Sequence, residues 1–172
     1  MRDIANKVGI KAASIYSHYK SKEDLYIDIF ENCIKQYDIG VSLNDDYIDI
    51  PLEEKMLELL RKQVFFLEKN PHILSFLART IFFPPFELKD RLQLVIEENK
   101  NISNMKNYYE IYHDLKKNNK IKNTITIDQF ISSFDMCILR YFIGKLGLNY
   151  YKEQESIENI FNFYWEEIKS IN

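Results

Sequence analysis

Short polar and hydrogen-bonding side chains are concentrated between residues 11 and 18 of this 172-residue chain. Lysine, serine, tyrosine and histidine can donate hydrogen bonds to phosphate oxygens or to the edges of bases, and alanine allows a helix to approach a groove closely. Such a set suits the recognition of a nucleic acid better than it suits catalysis. The candidate contact residues are Lys11, Ala12, Ala13, Ser14, Tyr16, Ser17 and His18.

The first 22 residues are basic, although the chain as a whole is acidic. They carry five lysines and arginines against one aspartate, a net charge of +4, so the remaining 150 residues carry −7 of a total of −3. A basic end on an acidic body is expected when one end of a protein meets a polyanion. Charge alone fits a chance cluster on a solvated surface equally well.

Few residues suit catalysis or metal binding. The three histidines, His18, His72 and His113, have no partner at metal-ligand spacing, and the chain has neither a nucleophile elbow nor a Gly-rich phosphate loop. Cys33 and Cys137 lie far apart, each in an apolar helical pattern, so we expect packing roles and no disulfide. The sequence therefore predicts no enzyme, no metal and no cofactor.

No feature of the sequence predicts a membrane partner. The apolar runs are far shorter than the roughly 20 residues that a membrane span needs. The first residues also lack the basic and then apolar segments of a secretory signal. We therefore expect a cytoplasmic protein.

Two short helices around one glycine open the chain. Residues 2–8 and about 12–19 have a helical period, and Gly9 between them can adopt the positive φ of a tight turn. Ser21, followed by acidic residues, predicts the start of a long helix that ends near Gly40. This arrangement is a helix-turn-helix, which can place its second helix in a DNA groove. We predict that it buries Ile4, Ala5, Val8, Ile10 and Ile15.

The rest of the chain predicts an all-α fold. Its few glycines and prolines lie between segments of helical period, and Pro51 suits a first helical position. Thr126 and Gln129 form a capping box at the head of a helix that ends near Gly147. We predict helices at about 51–70, 71–84, 88–96, 102–115, 127–147 and 154–170, with loops at 41–50 and 116–123.

The first 26 residues resemble the DNA-binding signature of the tetracycline-repressor (TetR) family of bacterial transcriptional regulators. The similar stretches are Ile-Ala-x-x-Val-Gly-Ile and Ser-Ile-Tyr-x-His-Tyr-Lys-Ser-Lys-Glu-Asp-Leu. The resemblance implies a helix-turn-helix module with its connecting helix in residues 1–40 and a helical ligand-sensing and dimerisation domain in residues 41–172. It implies a repressor that binds palindromic operator DNA as a homodimer until a small molecule releases it.

The resemblance also implies roles for single residues. Tyr16 would contact a phosphate or stack on the DNA backbone, and Lys22 would hold a phosphate. Arg2, at the head of the first helix, would contact the DNA backbone or a base edge. His18 and Tyr19 would end the recognition helix. Tyr19 would pack on the following helix, whereas His18 would either contact DNA or cap helix carbonyls.

Two features depart from the family pattern. Lys11 stands where a small capping serine or threonine is usual, so we expect weaker capping and stronger attraction for phosphate. Family members also carry another helix ahead of the motif, whereas this sequence opens at the motif with Met1. We expect either that Met1 is internal to a longer protein or that the first helix was lost, which leaves the three-helix module incomplete.

Aromatic residues are numerous enough to line a ligand cavity. Most of the 12 phenylalanines, 12 tyrosines and one tryptophan lie beyond residue 41. This surplus fits a pocket for a small apolar or aromatic effector, although ordinary core packing explains it equally well. Arg79 and His113 could orient a polar group of that effector. The predicted pocket residues are Phe66, Phe76, Arg79, Phe83, Tyr108, Tyr109, Tyr112, His113 and Phe134.

The last two helices carry apolar stripes at helical spacing, with little chain left to cover them. Two copies would then pair as a four-helix bundle. The alternative, in which both stripes fold back on their own subunit, is weaker because a palindromic operator requires a twofold protein. The predicted interface residues are Phe130, Tyr141, Ile157, Phe161, Tyr164 and Ile168.

Two other functions compete with a DNA-binding regulator. One is a helical dimeric sensor or interaction protein that does not bind DNA, because its module is truncated. The other is an enzyme built on a helical bundle, which the isolated histidines and scattered carboxylates disfavour.

Overall fold

The computed structural model describes residues 1–43, 50–99, 103–145 and 155–170. Within these ranges the fold is all-α, as the sequence predicts, and Ile121 and Lys169 form one isolated antiparallel bridge. The helices are α1 (Arg2–Val8), α2 (Ala12–Tyr16), α3 (Lys22–Val41), α4 (Leu52–Lys69), α5 (Pro71–Phe82), α6 (Lys89–Glu98), α7 (Ser103–Lys117), α8 (Ile127–Lys145) and α9 (Ile157–Ile168), with a 3₁₀ turn at Phe86–Leu88 before α6.

The helices divide into two compact units. The first unit comprises the described residues of Met1–Gln36 and His72–Lys100, and the second comprises those of Tyr37–Pro71 and Asn101–Asn172. Helix α3 begins in the first unit and ends in the second, while α5 and α6 belong to the first by their packing. This division reflects packing only. The predicted boundary at residue 40 between a DNA-binding part and a sensing part stays a prediction.

The first unit has a small core that holds α3 in place. Phe30 of α3 is buried with Leu92 and Val95 of α6. The Tyr26 hydroxyl lies 2.7 Å from Oγ1 of Thr80, which itself donates to a backbone carbonyl of α5 at 2.9 Å. Since Thr80 uses its proton on α5, Tyr26 is the donor to Thr80. This partly buried bond joins α3 to α5 at a defined register.

The second unit has the larger core, built by α4, α7, α8 and α9. The apolar face of α4 meets rings from α8 and α9, and the rings of Phe134 and Tyr164 pack edge to face with centroids 5.6 Å apart. The fully buried side chains of this core include Met56, Leu59, Leu60, Leu115, Ile121, Phe130, Phe134, Ile160 and Phe161.

Several local predictions are confirmed. The hydroxyl of Ser21 accepts the backbone N–H of Asp24 at 3.0 Å and so caps α3. Thr126 and Gln129 form the predicted capping box, because each backbone N–H donates to the other side chain, at 3.0 and 3.3 Å. Cys33 and Cys137 are both buried free thiols, as expected of packing residues.

Some predicted helix ends are wrong by a few residues. Helix α2 ends at Tyr16 instead of Tyr19, because the Ser17 hydroxyl donates to the Ser14 carbonyl at 2.8 Å and replaces a helical partner. Pro51 precedes α4 instead of beginning it, and α7 continues to Lys117. The predicted helix end at Gly147 and most of the predicted loop at 41–50 lie outside the described residues.

Neither a membrane span nor a metal cluster is found in the described ranges. None of their helices is both long and apolar enough to cross a bilayer. Within the same ranges, no three histidine, cysteine or carboxylate side chains gather at metal-binding distance.

Candidate functional site

The turn between α1 and α2 is set by Gly9. Its φ of 76° is left-handed, and its N–H donates to the Asn6 carbonyl at 3.3 Å while the N–H of Ile10 donates to the Ala5 carbonyl at 3.0 Å. This pair of bonds closes the end of α1 and directs the chain into α2. Ala5, which is 1% exposed, and Ile15 are the residues buried by the two helices.

The predicted burial of Val8 and Ile10 is wrong for this structure. Their side chains are 65% and 46% exposed, and Ile4 is only partly buried. Two helices of seven and five residues enclose too little volume to bury all five predicted positions. Val8 and Ile10 therefore form an apolar surface that the described residues leave uncovered.

Helix α2 presents the predicted contact residues to solvent. Lys11 precedes the helix in extended backbone, with φ −78° and ψ 140°, and its side chain makes no capping bond, as expected. Tyr16 is 55% exposed, and Ala12 alone among the predicted set is partly buried. The exposed members are Arg2, Lys11, Ala13, Ser14, Tyr16, Ser17, His18 and Lys22.

Tyr19 joins the end of the motif to α3. It lies beyond α2, and its hydroxyl donates to Oδ2 of Asp28 at 2.8 Å. That hydrogen bond, with smaller effects of burial and of the charge on Asp28, raises the pKa of Tyr19. Because Tyr19 is partly buried and bonded to α3, it positions the motif, in line with the prediction that it packs on the following helix. His18 is in the turn after α2 and is exposed.

Lys22 is the first residue of α3. This end of the helix is held in place by two bonds at Asp24. Bonds from Ser21 and from the Arg91 guanidinium, whose Nη2 lies 2.9 Å from Oδ1 of Asp24, lower the pKa of the Asp24 carboxyl. The Lys22 side chain is exposed on the same short segment that carries Tyr16 and Lys20. The first unit therefore combines exposed cations with a rigidly capped and anchored helix.

Comparisons with known proteins agree with this architecture. Residues 1–29 match the family model of bacterial regulatory proteins of the tetR family. A TetR-family protein from Vibrio parahaemolyticus superposes with a TM-score of 0.72 at 18% identity, over 99% of this chain and 87% of that one. The chain has the TetR-family transcription-regulator fold. The resemblance predicted from the sequence is confirmed.

Other solved TetR-family structures are similar over most of their length. A transcriptional regulator from Haemophilus influenzae Rd gives a TM-score of 0.69 at 22% identity, over 96% of this chain and 82% of that one. A regulator from Marinobacter aquaeolei VT8 gives 0.68 at 16% identity, over 98% and 83%. At these identities the likeness is one of fold. No curated protein matches the sequence significantly.

The predicted pocket residues of this TetR-like fold are divided between its two units. In the first unit the ring of Phe76 lies 5.1 Å from that of Tyr26, so Phe76 belongs to that unit's packing. Arg79 is exposed, and Phe83 is 79% exposed at the end of α5. Neither of these two side chains lies inside the first unit.

The other predicted pocket residues lie in the second unit. Tyr108 and Phe134 are buried together, with ring centroids 5.5 Å apart. Tyr112 packs on Phe130 at 5.5 Å, and its hydroxyl donates to the Ile125 carbonyl at 2.9 Å. The partly buried ring of Phe66 meets that of Tyr37 at 5.7 Å. Tyr109 and His113 are exposed.

The sequence did not predict three further residues beside these aromatics, namely Gln63, Asp135 and Tyr37. Gln63 of α4 donates to the Tyr108 hydroxyl at 2.5 Å, and that hydroxyl donates to Oδ1 of Asp135 at 3.4 Å. The charge of Asp135 in turn contributes to a raised pKa of Tyr37. Gln63 occupies a position of the apolar stripe of α4, and a polar residue at such a position is the signal that could have revealed it.

The predicted interface residues pack within their own chain. Phe130, Phe161, Tyr164 and Ile168 are buried in the core of the second unit, and Ile157 packs against it. Tyr141 is partly buried and donates to Oε1 of Glu68 at 2.7 Å. The stripes of α8 and α9 thus fold back on the subunit, which was the alternative considered weaker, because α4 and α7 cover them. The buried side chains are not free to meet a second copy.

A different face of α8 and α9 is exposed. Met136 and Phe163 are 56% and 59% exposed, and they flank a shallow apolar groove of about 200 Å³. The Arg140 guanidinium lies 4.9 Å from the centre of the Phe163 ring and binds both carboxylate oxygens of Glu155, at 2.6 and 2.7 Å. This face, and not the buried stripe, is available to a partner.

Proposed function

We propose that this chain is a TetR-type transcriptional repressor that binds palindromic operator DNA as a homodimer and is released by a small-molecule effector. The observation that carries the proposal is the exposure of hydrogen-bonding and cationic side chains around α2, in a segment that matches the family's N-terminal model. The proposal includes a cytoplasmic location and no catalytic activity.

Several features of the first unit support the proposal of DNA binding. Lys11 and Lys22 flank α2 and can neutralise phosphates, while Ser14, Ser17 and Tyr16 can approach base edges or the backbone. The Tyr19 bond ties the turn after α2 to α3, and the Ser21 bond caps α3. The contacts would therefore be presented by a preorganised element, which lowers the cost of ordering on binding.

Homodimerisation is supported by the exposed face of α8 and α9. Met136 and Phe163 give this face an apolar centre, and Arg140 with Glu155 gives it a charged rim. Apolar centres within polar rims are typical of protein interfaces. A twofold dimer would place two α2 helices about one DNA turn apart, roughly 34–36 Å.

Effector release follows from this spacing. A ligand that binds more tightly to a dimer with a different α2 separation must lower the affinity for the operator by the same coupling factor. The proposed effector is small and apolar or aromatic, and the second unit, with its buried aromatics, is the proposed sensing part.

The test is a titration of the chain with duplex DNA from the region upstream of its own gene. We expect tight binding to a palindromic segment, weaker binding to a scrambled duplex, and affinity that falls steeply as salt is raised, because phosphate contacts release counterions. Binding that ignores both salt and sequence would rule out the proposal.

One observation favours a second candidate, a dimeric sensor that does not bind DNA. Val8 and Ile10 are exposed, so a part of the helix-turn-helix surface lacks packing among the described residues. An underpacked module would be less stable. Loss of the protease resistance of α1 and α2, with effector binding intact and no DNA affinity, would support this candidate.

A further inference from the structure

Gln63 is an amide in the apolar core of the second unit. It is 0% exposed, and its neighbours on the buried face of α4 are Leu59, Leu60 and Val64. Its Nε2 donates to the Tyr108 hydroxyl, while its Oε1 is buried without a hydrogen-bond partner among the described residues. If the amide oxygen and nitrogen exchanged positions, Nε2 would be the atom without a hydrogen-bond partner. One polar atom is therefore available to a further group, which buried polar atoms ordinarily require.

Asp135 presents a carboxylate next to this amide. On α8 it shares a face with Ile131, Ile138 and Phe142, all partly buried and packed against the core. The Tyr108 hydroxyl, the same group that accepts from Gln63, donates to Asp135 at the long distance of 3.4 Å. Tyr108 thus joins the two polar groups, one from α4 and one from α8.

The surroundings of Asp135 combine access to water with enclosure by protein. Its side chain is exposed, yet burial among neighbouring groups raises the pKa of its carboxyl to about 6, against the smaller opposing effect of Tyr108. Open solvent would leave such a carboxyl at its ordinary pKa. The two observations together describe a carboxylate that faces a recess which small molecules of the size of water can enter.

The titratable groups around this carboxylate are uncharged tyrosine and cysteine side chains. Its charge contributes to raised pKa values of Tyr37 on α3, Tyr108 on α7, Cys137 on α8 and Tyr164 on α9. In the part of the chain that the structure describes, no lysine, arginine or histidine lowers the pKa of Asp135. A negative charge held among neutral groups calls for a positive one from outside.

We propose that the cluster of Tyr37, Gln63, Tyr108 and Asp135, here called the acidic recess, binds the protonated amine of a small aromatic effector. Asp135 is the counter-ion, Gln63 supplies a hydrogen-bond acceptor, and the faces of the tyrosines attract the cation. The edge-to-face pairs Tyr37–Phe66 and Tyr108–Phe134 supply the apolar wall that an aromatic body needs. The inference rests on the proposed function, since it makes the second unit the effector-sensing part.

The experiment compares matched probes that differ in charge. Each aromatic amine is paired with the alcohol of the same shape: benzylamine with benzyl alcohol, 2-phenylethylamine with 2-phenylethanol, tyramine with tyrosol, and tryptamine with tryptophol. Binding to the whole chain, in the absence of DNA, is measured by thermal shift and calorimetry. We expect amines to bind at least about tenfold more tightly than their alcohols, the factor expected for one charge-assisted contact of about 1.4 kcal/mol.

Two variants separate the recess from general surface charge. Asp135→Asn keeps the shape and removes the charge, and we expect it to lose the preference for amines. Asp114→Asn removes an exposed carboxylate of α7, and we expect it to keep that preference. Amines that bind no better than alcohols to the wild type, or equal amine binding by wild type and Asp135→Asn, would overturn the proposal and leave the recess a site for ordered water only.

A pH series on the wild type needs no variant. The amines stay protonated throughout, whereas Asp135 loses its charge below about pH 6. Amine affinity should therefore fall by roughly tenfold between about pH 7.5 and pH 5, while alcohol affinity stays level. A flat amine profile would contradict the proposal. Because no assay here contains DNA, a failure to bind operator would defeat the proposed repressor and leave this result standing.

Discussion

The ring of Phe66 lies against the backbone of Gly40, where a β-carbon would stand. A methyl group at residue 40 would clash with the ring atoms Cδ2 and Cε2, and Cγ would be 3.0 Å away. Gly40 is in the last turn of α3 and Phe66 in α4, so the glycine allows a close approach of the two helices within the second unit. Tyr37, three residues before Gly40 on the same helix, also packs on this ring, at 5.7 Å between centroids.

Gly40→Ala should destabilise the chain despite the higher helix propensity of alanine. Alanine in place of glycine within a helix contributes about 1 kcal/mol. Overpacking a filled site costs about 1–3 kcal/mol, and the Phe66 ring would have to move from its contacts with both Gly40 and Tyr37. We expect a lower midpoint of urea unfolding with an unchanged slope.

A double-mutant cycle identifies the clash as the cause. In a Phe66→Ala background the space beside residue 40 is open, so Gly40→Ala should there stabilise the chain by up to about 1 kcal/mol. If Gly40→Ala stabilised the wild-type chain as well, the Phe66 ring would be able to move away at little cost.

Lys22→Ala and Tyr16→Phe should weaken operator binding and leave folding and dimerisation intact. Both side chains are exposed at the ends of the motif, so neither contributes core packing. Loss of a phosphate contact by Lys22 should reduce the slope of log affinity against log salt by about 1. Tyr16→Phe should reduce affinity with a smaller change of slope.

Lys120→Ala provides the matched control, because it removes an exposed lysine from the second unit. Its affinity and salt slope, measured by fluorescence anisotropy on the same duplex, should equal those of the wild type. If all three variants behaved alike, Lys22 and Tyr16 would not be contact residues.

Met136→Glu should convert a dimer into monomers. Met136 is exposed beside the apolar groove of α8 and α9, and a carboxylate buried at an interface without a partner is strongly unfavourable. Phe65→Glu, which changes an exposed ring of α4, is the control for a general effect of added charge. Light scattering after size exclusion would report a monomer for the first variant alone; a dimer in both would place the interface elsewhere.

Asp135→Asn should stabilise the chain near neutral pH and have little effect in acid. The folded-state pKa of about 6 is above the ordinary 3.8, so the favourable protonated form is present below about pH 4 and is lost as pH rises through about 6. Above that pH the folded chain carries an enclosed charge, which the asparagine avoids. Melting at about pH 4 and pH 7.5 measures this.

The expected difference in melting temperature between variant and wild type is larger at pH 7.5, on the order of 2–4 °C for each kcal/mol of penalty removed. Comparison of the two chains at each pH cancels the titration of all other groups. A difference that is equal at both pH values would mean that the Asp135 carboxyl is not enclosed.

Local signals in the sequence determined the helices and several of their ends. The capping box of Thr126 and Gln129, the cap at Ser21 and the left-handed Gly9 each involve partners within a few residues, so their physics is contained in a short stretch of chain. The same holds for α2, in which Ile15 is buried while Ser14 and Tyr16 on either side of it are exposed.

Tertiary structure decided which faces meet. An amphipathic stripe shows that Phe130 and Tyr164 must be buried but not against what, and the structure covers them with the chain's own α4 and α7. The bond between Gln63 and Tyr108 joins residues 45 positions apart, and Tyr108 reaches Asp135 over another 27. Such contacts depend on the packing of whole helices, because burial energy is non-directional and does not specify a partner.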